Sequence, residues 1–205
     1  EMLPIIDKPI IQYLVEEATK SGVTDVVFVT GRGKRAIEDH FDFSPELETA
    51  LISKNKQDIF KEVRSISKLA RFSYVRQNEP LGDGDAILCA EHLVGKDESV
   101  GVLFGDDIVD NEVPCLSQMQ EVFNKYGDVV IALDTVPMSQ VSKYWVVEAV
   151  KISDNVYEIK DIVEQPDTKD AKSDLIVVGK YIITPEVFVE LNKLKKESKG
   201  GEIKL

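Results

Sequence analysis

The chain has 205 residues, of which 43% are hydrophobic and 30% are charged, and this composition excludes a disordered or collagen-like protein. Its 37 acidic residues outnumber its 25 basic ones, and the formal charge of −12 argues against nucleic acid or an anionic membrane as a partner. No apolar run approaches the roughly 20 residues that span a bilayer, and the first residues lack a signal-peptide pattern, so we expect a cytoplasmic protein with one or two globular domains.

Helix-like and strand-like patterns alternate in the first half of the chain. A helix is predicted over residues 9–21, because its apolar residues recur on one face, and Gly22 ends it. The next predicted elements are a strand over 25–30, a short helix over 34–41, one long or two shorter helices over 44–67, a strand over 71–76, a helix over 85–93 and a buried strand over 99–104. Within 44–67, the residues expected to face inward are Leu47, Leu51, Ile59, Phe60 and Val63.

The second half of the chain adds an antiparallel feature. Residues 145–152 and 156–163 alternate apolar and polar side chains on either side of Ser153-Asp154-Asn155, which predicts a β-hairpin. The other predicted elements are a helix over 116–125, a strand over 128–133, a polar loop over 167–174, a strand over 175–183 and a helix over 185–196. Because strands alternate with helices, we predict an α/β fold with a Rossmann-like sheet, mixed but mainly parallel, flanked by helices.

One glycine motif resembles a nucleotide-binding motif but is not interpreted as such a site. Gly31-Arg-Gly33-Lys-Arg-Ala36 follows a strand and opens a helix, as a dinucleotide-binding motif does. That motif requires an acidic residue at the end of the next strand, about 20 residues on, whereas residues 44–67 are predicted to be helical. A P-loop is also excluded, because Lys34 is followed by Arg35 and not by Ser or Thr.

Gln77 and the glycine loop after it form the first candidate site. Gln77 follows a predicted strand, and Pro80-Leu-Gly82-Asp-Gly84-Asp-Ala86 leads from it into a helix. Ligands of open α/β sheets lie at the carboxyl ends of strands, and glycines let the backbone approach a flat base. The Gln77 amide offers a donor and an acceptor, which suits a pyrimidine such as uracil. The alternative is a turn whose glycines only satisfy positive φ angles.

Acidic residues follow two further strands. Gly105-Asp106-Asp107-Ile-Val-Asp110 comes directly after the strand predicted over 99–104. Neighbouring carboxylates repel each other unless a cation or a helix start neutralises them, and Mg²⁺ held by one carboxylate and substrate phosphates is the natural occupant. An acidic turn that caps a helix is the alternative. Glu164, at the end of another strand, would suit sugar hydroxyls, although a plain surface strand end is the simpler interpretation.

Five segments taken together resemble a known family: Glu1-Met-Leu-Pro-Ile-Ile-Asp-Lys-Pro-Ile-Ile-Gln-Tyr13, Ile37-Glu-Asp-His-Phe-Asp42, Val75-Arg-Gln77, Val177-Val-Gly-Lys-Tyr181 and Gly201-Glu-Ile-Lys-Leu205. Their order and spacing resemble the bacterial UTP–glucose-1-phosphate uridylyltransferases (UDP-glucose pyrophosphorylases), a branch of the sugar nucleotidyltransferases. The resemblance covers essentially the whole chain. It implies a single nucleotidyltransferase domain over 1–205, with a nucleotide-binding part (1–136) and a sugar-binding part (137–205).

The resemblance implies a magnesium-dependent transfer of UMP from UTP to glucose 1-phosphate, which yields UDP-glucose and pyrophosphate. Asp106 would be the catalytic residue and the magnesium ligand. The implied nucleotide-binding residues are Gln77, Gly82 and Gly84, and the implied sugar-binding residues are Trp145, Glu164, Gln165 and Gly179. A homo-oligomer is implied for the full-length enzyme.

Several features depart from the family pattern. Family members carry a glycine-rich phosphate loop before the Glu-Met-Leu-Pro phrase and helices beyond the last segment, so we expect a chain truncated at both ends and inactive on its own. Trp145 stands in place of glycine, and Gln165 in place of lysine. Asp83 and Asp85 replace an apolar residue and a histidine. The cations that would remain for the phosphates are Lys8, Lys34 and Lys180.

Two other functions stay open on the residues alone. One is a glycosyltransferase that binds a nucleotide sugar through Asp106 and Asp107. The other is a module that binds a nucleotide sugar without catalysis. Release of pyrophosphate from UTP and glucose 1-phosphate would distinguish the uridylyltransferase from both.

Overall fold

The chain folds into two units. The computed structural model describes residues 1–205 without a gap. The first unit contains residues 1–100 and 184–205, and the second contains residues 101–183. None of the helices has the length and apolar character needed to cross a membrane.

All of the predicted elements are present, with small shifts at their ends. The helices are α1 (Ile10–Lys20), α2 (Arg35–Phe41), α3 (Pro45–Ser53), α4 (Gln57–Ile66), α5 (Asp83–Ala90), α6 (Cys115–Tyr126) and α7 (Pro185–Glu197). The strands are β1 (Pro4–Ile5), β2 (Lys8–Pro9), β3 (Asp25–Thr30), β4 (Arg71–Arg76), β5 (Val100–Leu103), β6 (Val130–Thr135), β7 (Trp145–Ser153), β8 (Val156–Glu164) and β9 (Leu175–Ile183). Two short 3-10 helices follow α5 and β6, at Glu91–Leu93 and Met138–Lys143.

Helix α1 shows how local sequence fixes an element. Its apolar residues recur at helical spacing, and those that are buried are Ile11, Leu14, Val15 and Ala18. After the helix, Gly22 takes a φ of +86°, and its N–H donates to the Thr19 carbonyl at 3.0 Å. This left-handed turn, which glycine adopts without strain, ends the helix and leads the chain into β3.

An aromatic cluster forms the core around the first sheet. Strands β3 and β4 pair in parallel. Phe28 of β3 stacks on Phe72 and Tyr74 of β4, with ring centroids 5.7 and 5.5 Å apart. Phe41, at the end of α2, is 2% exposed and lies 5.1 Å from the Phe28 ring. Parallel neighbours require a long crossover connection, and helices α2 to α4 provide it.

The segment 44–67, for which the sequence leaves one or two helices open, forms two. Asn55 separates α3 from α4 with a φ of +54°, a left-handed conformation that asparagine tolerates and an α-helix does not. Arg64 of α4 donates to both carboxylate oxygens of Glu48 in α3 at 2.9 Å. The two helices are therefore joined by a bidentate ion pair.

The expected inward face of this segment is only partly correct. Leu51 is 8% exposed, and Phe60 and Val63 are half-buried. Leu47 and Ile59 are each 45% exposed, so the expectation that they face inward is wrong. The break between α3 and α4 changes the helical register, so residues expected on one continuous face do not share it.

The second unit contains a five-stranded sheet in the order β5-β9-β7-β8, with β6 also paired to β9. Strand β9 runs antiparallel to β6 and β7, and β7 runs antiparallel to β8 in the predicted hairpin. The mixed α/β fold is confirmed. The balance of strand directions differs from the mainly parallel one expected, because short connections such as the turn between β7 and β8 reverse the chain and give antiparallel neighbours.

Burial follows position in this sheet more than apolar content. Strand β5, predicted to be fully buried, lies at the end of the strand order, and its residues range from half-buried to exposed. Strand β9 has neighbours on both sides, and Ile176, Ile182 and Ile183 are at most 6% exposed. An edge strand keeps one flank open to solvent, and the local sequence does not specify which strand that is.

The division between a nucleotide part and a sugar part at residues 136 and 137 stays a prediction. That boundary falls inside the second unit. The two units describe packing, whereas the predicted parts describe which substrate each segment contacts, and these are different properties.

Candidate active site

Gln77 immediately follows β4, where the sequence places it. Its Nε2 donates to the Gly82 carbonyl at 3.0 Å and to the Asp85 carboxylate at 2.8 Å. Both amide hydrogens are therefore engaged, while Oε1 accepts no hydrogen bond within the chain. The half-buried side chain thus offers a ligand an acceptor, not the combined donor and acceptor that the sequence suggests.

Gly82 and Gly84 press the loop against the last residues of the chain. Gly82 has a φ of +98°, and a Cβ at this position would overlap the Ile203 carbonyl oxygen. A Cβ at Gly84 would lie 2.9 Å from the Leu191 side chain and 3.0 Å from that of Ile203. The chain's own packing therefore accounts for both glycines, and their contact with a nucleotide stays a prediction.

Residues 203–205 pair with the glycine loop. The Ile203 N–H donates to the Leu81 carbonyl at 2.7 Å, and the Gly84 N–H donates to the Ile203 carbonyl at 3.0 Å. The Leu205 N–H donates to the Asp83 carboxylate at 3.0 Å, and the Ile203 side chain is 2% exposed. This pairing was not predicted from the sequence, although a single isoleucine between Glu202 and Lys204 was a signal for a buried anchor.

Asp85 is a buried charge at the start of α5. It is 4% exposed, and Lys195 of α7 donates to its Oδ1 at 2.6 Å. The hydrogen bonds from Gln77 and from Lys195 hold the pKa of Asp85 below its usual range, and the same carboxylate raises the pKa of Lys195. Both groups are therefore charged at neutral pH. No local signal links residues that lie 110 positions apart, so this pair is not predictable from the sequence.

Asp106 and Asp107 differ in their surroundings within the second unit. The Asp107 carboxylate accepts a hydrogen bond from the Gly179 N–H at 2.7 Å. Asp106 is exposed, and its carboxylate forms no hydrogen bond or ion pair within the chain. Of the two, Asp106 is the carboxylate available to a ligand.

Gly179 lies buried in β9, pressed against the residues that follow β5. Its carbonyl accepts a hydrogen bond from the Phe104 N–H at 2.7 Å. A Cβ here would overlap the Asp107 carboxylate and lie 2.7 Å from Phe104 Cβ. Close backbone approach therefore explains this glycine, and its contact with a sugar stays a prediction.

The other three residues predicted to bind sugar lie together at one end of the hairpin. Trp145 opens β7 and pairs with Glu164 at the end of β8. Gln165 takes a φ of +43°, and its N–H donates to the Tyr144 carbonyl at 3.0 Å. Glu164 and Gln165 are exposed and Trp145 is half-buried. This end of the hairpin thus carries an indole, a carboxylate and an amide on neighbouring residues.

The cations expected to remain for the phosphates are engaged elsewhere or buried. Lys8 pairs with Glu16 at 2.9 Å, and Lys34 pairs with Glu1 at 2.7 Å. Lys180 in β9 is 0% exposed. Lys180 and the buried Ile182 are two residues apart in β9 and therefore lie on the same face of the strand. A lysine in line with apolar residues was thus a signal in the sequence for a buried side chain.

Nearly the whole chain matches a known protein family. The model of the family described as Nucleotidyl transferase matches residues 1–204. The chain belongs to the nucleotidyl transferase family. The resemblance carried by the five segments is thereby confirmed.

Named nucleotidyl transferases are similar to this chain along its whole length. The UTP–glucose-1-phosphate uridylyltransferase YngB of Bacillus subtilis (strain 168) is 46% identical over 205 residues, which is 100% of this chain and 68% of that protein. A structure of UDP-glucose pyrophosphorylase complexed with UDP-glucose matches with a TM-score of 0.85 at 42% identity and covers 100% of this chain and 74% of that one. The UTP-bound UGPase of Acinetobacter baumannii matches with a TM-score of 0.88 at 32% identity, over 98% of this chain and 70% of that one.

Proposed function

We propose that this protein transfers UMP from UTP to glucose 1-phosphate, which gives UDP-glucose and pyrophosphate. The observation that carries the proposal is the match along the whole chain to a uridylyltransferase. Two similar solved structures, one with UDP-glucose and one with UTP bound, also support it. Family membership favours this activity over the glycosyltransferase and the non-catalytic module that the residues alone leave open.

Gln77 is the residue proposed to recognise the base. Its Oε1 is the unengaged polar atom of the amide, and an amide oxygen accepts a hydrogen bond. Uracil carries a donor at N3–H, so the base and the amide are complementary. Gly82 and Gly84 belong to the same loop and are proposed to line the nucleotide with their backbone.

Asp106 is proposed to hold a divalent cation, with magnesium as the ion of choice. Magnesium in phosphate-transfer sites is held by one or two carboxylates and substrate phosphates rather than by an all-protein cage. An exposed carboxylate without an internal partner fits that donor set, and the chain has no cluster of three or more His, Cys, Asp or Glu side chains that would form a cage. When bound, the ion would offset the negative charge of the phosphates.

Trp145, Glu164, Gln165 and Gly179 are proposed to form the sugar part of the site. The Glu164 carboxylate is suited to accept hydrogen bonds from glucose hydroxyls, and Trp145 offers an apolar face to the ring. The Gln165 amide is able to donate to a hydroxyl or to the sugar phosphate. Both backbone groups of Gly179 are bonded within the chain, so its contribution is space and not a hydrogen bond.

The reaction requires no covalent intermediate with the protein. A phosphate oxygen of glucose 1-phosphate forms a bond to the α-phosphorus of UTP while the bond to the pyrophosphate oxygen breaks. Positioning and charge neutralisation are sufficient for such a displacement. The candidate residues are an amide, glycines and carboxylates, and burial raises the pKa of the Cys89 thiol in α5, which disfavours a nucleophilic thiolate there.

The location and assembly of the protein are part of the same proposal. A cytoplasmic location agrees with the chemistry of soluble UTP and sugar phosphate. The formal charge of −12 disfavours nucleic acid as a partner. A homo-oligomer is proposed for the full-length enzyme.

Pyrophosphate release tests the function. The full-length enzyme is mixed with UTP, glucose 1-phosphate and magnesium, and both pyrophosphate and UDP-glucose are measured. We expect equal amounts of the two products, with no release when glucose 1-phosphate is omitted. Binding of UDP-glucose without turnover would support the non-catalytic module, and transfer of glucose from UDP-glucose to an acceptor would support the glycosyltransferase.

A further inference from the structure

Gln77 is held by Asp85, the buried carboxylate of an ion pair with Lys195, and the charge of this carboxylate dictates which atom of the Gln77 amide stays open. Asp85 lies between Gln77 and Lys195: one carboxylate oxygen accepts from Gln77 Nε2 at 2.8 Å, and the other accepts from Lys195 Nζ at 2.6 Å. The Asp85 side chain is 5% exposed, whereas that of Lys195 is 47% exposed. The carboxylate is therefore shielded from water, with a cation on its outer side.

The charge of Asp85 determines the orientation of the Gln77 amide. An ionised carboxylate accepts hydrogen bonds and donates none, and the Gly82 carbonyl, the second partner of Nε2, is also only an acceptor. Rotating the amide by half a turn would place its oxygen against two acceptors. The NH₂ group must therefore point inward and Oε1 must stay open.

We propose that the Asp85–Lys195 ion pair sets the base specificity of the enzyme, by locking the Gln77 amide so that it presents only an acceptor. This inference rests on the proposed role of Gln77 in reading uracil. A fixed acceptor pairs with the N3–H of uracil and opposes the N3 lone pair of cytosine. Asp85 and Lys195 are thus positioning residues that act through Gln77, and the discrimination they provide is between UTP and CTP.

The Asp85→Asn substitution keeps the shape of the side chain but replaces one of its two acceptor oxygens by an NH₂ donor. Lys195 donates only, so it would draw the Asn oxygen toward itself and leave the Asn NH₂ facing Gln77. Gln77 would then meet a donor on one side and the Gly82 carbonyl on the other, and its amide would have no single favoured orientation. In the double variant Asp85→Asn, Lys195→Met, the side-chain oxygen at position 85 is free to face Gln77. It then accepts from Gln77 Nε2, which restores the fixed orientation of the Gln77 amide.

The test compares kcat/KM for UTP and for CTP, with glucose 1-phosphate saturating, in the full-length enzyme. We expect Asp85→Asn to lower the UTP preference about tenfold or more, through KM for UTP rather than through kcat, since a mispaired buried group costs on that order. Asp85→Asn combined with Lys195→Met should recover most of the preference. Lys193→Met is the matched control, because Lys193 lies on the same helix in an exposed pair with Glu190 and should leave the preference unchanged.

Gln77→Ala separates the failure of this inference from the failure of the uracil site. A preference unchanged by Gln77→Ala overturns both the role of Gln77 and the lock. A preference lowered by Gln77→Ala but not by Asp85→Asn overturns the lock alone. In the Gln77→Ala background, Asp85→Asn should have no additional effect on the preference, and a further loss would also contradict action through Gln77.

A second measurement decides the matter if Asp85→Asn fails to fold. In the unmodified protein, the two side-chain NH₂ protons of Gln77 should exchange slowly with water in NMR spectra, because both are donated to partners within the chain. In Lys195→Met they should stay slow at neutral pH but lose protection at a higher pH than in the unmodified protein, because Lys195 helps to keep the Asp85 carboxylate ionised. Fast exchange of both protons in the unmodified protein overturns the lock.

Discussion

The Gly179 N–H donates a hydrogen bond of 2.7 Å to the carboxylate of Asp107, a residue 72 positions away in the chain. The bond joins the loop after β5 to the centre of β9. Asp106, the next residue toward the amino end, makes no such bond. Two adjacent carboxylates therefore have separate roles: Asp107 stabilises the sheet, and Asp106 is open to a ligand.

Asp106→Asn and Asp107→Asn are expected to affect different properties of the full-length enzyme. Asp106→Asn should lower turnover about 100-fold, because loss of a metal ligand removes several kcal/mol of charge stabilisation, with little change in the free energy of unfolding. Asp107→Asn should instead lower the free energy of unfolding by about 1–2 kcal/mol, because it weakens a charge-assisted hydrogen bond. Pyrophosphate release at limiting and saturating magnesium, with thermal unfolding of each variant, checks both. Normal turnover of Asp106→Asn at limiting magnesium would rule out its role as ligand.

Gly179→Ala is expected to destabilise the second unit. The added methyl group would overlap the Asp107 carboxylate and crowd Phe104, and such overpacking costs about 1–3 kcal/mol. Gly31→Ala is the control, because a Cβ there meets no atom within 4 Å and Gly31 has no positive φ. Chemical denaturation measures both variants. UTP affinity should be unchanged in Gly31→Ala, and a large loss of affinity would mean that the glycine motif 31–36 is a phosphate site after all.

Gln165→Lys is expected to improve the use of glucose 1-phosphate. Gln165 is exposed at the end of the hairpin, next to Glu164, and a lysine there would place a cation near the proposed sugar phosphate. An exposed ion pair contributes up to about 1 kcal/mol, so KM for glucose 1-phosphate should fall about two- to fivefold, with KM for UTP unchanged. Gln165→Met, of similar length and without charge, is the control. Equal KM values for all three proteins would place the sugar phosphate elsewhere.

Stability is expected to fall below pH 6.5 through His40. Burial lowers the pKa of this imidazole from its usual value of 6.5, and its Nε2 lies 2.9 Å from Gln12 Oε1. His40 therefore takes up a proton at a higher pH in the unfolded chain than in the folded one. Its contribution to the free energy of unfolding is fully present above pH 6.5 and declines as the pH falls toward the lowered pKa. Denaturation midpoints of the protein and of His40→Gln, measured from pH 7.5 to 5, check this. The variant should lose part of the slope, and an identical slope would exclude His40 as its source.

The sequence predicts the elements of the fold well where the signal is local. The end of α1 at Gly22 and the hairpin around Asp154 follow from helical spacing and turn residues, and both are present. The antiparallel hairpin and the mixed sheet agree with the prediction, whereas the share of antiparallel pairs in the second unit and the exposure of β5 differ from it. These depend on which strands become neighbours, and that information lies in contacts between distant segments.

The candidate residues at strand ends were predictable, whereas their partners were not. Gln77 lies after a strand and Asp106 in the loop after the next one, as an α/β fold requires of ligand-binding residues. The ion pair of Asp85 with Lys195 joins the glycine loop to a helix far along the chain. Chemistry that depends on such a pair leaves no pattern in either local stretch, so only the folded structure reveals it.

The hydrogen bonds between Ile203 and the glycine loop determine when, during synthesis, this loop can reach its folded form. Residues 81–84 leave the ribosome well before residue 203, and until then the Leu81 carbonyl and the Gly84 N–H lack the partners they have in the folded protein. A nascent chain therefore carries the loop in an unfinished state until residue 203 is available. Completion of the glycine loop is thus a late step in the folding of the first unit, because it depends on a segment far along the chain.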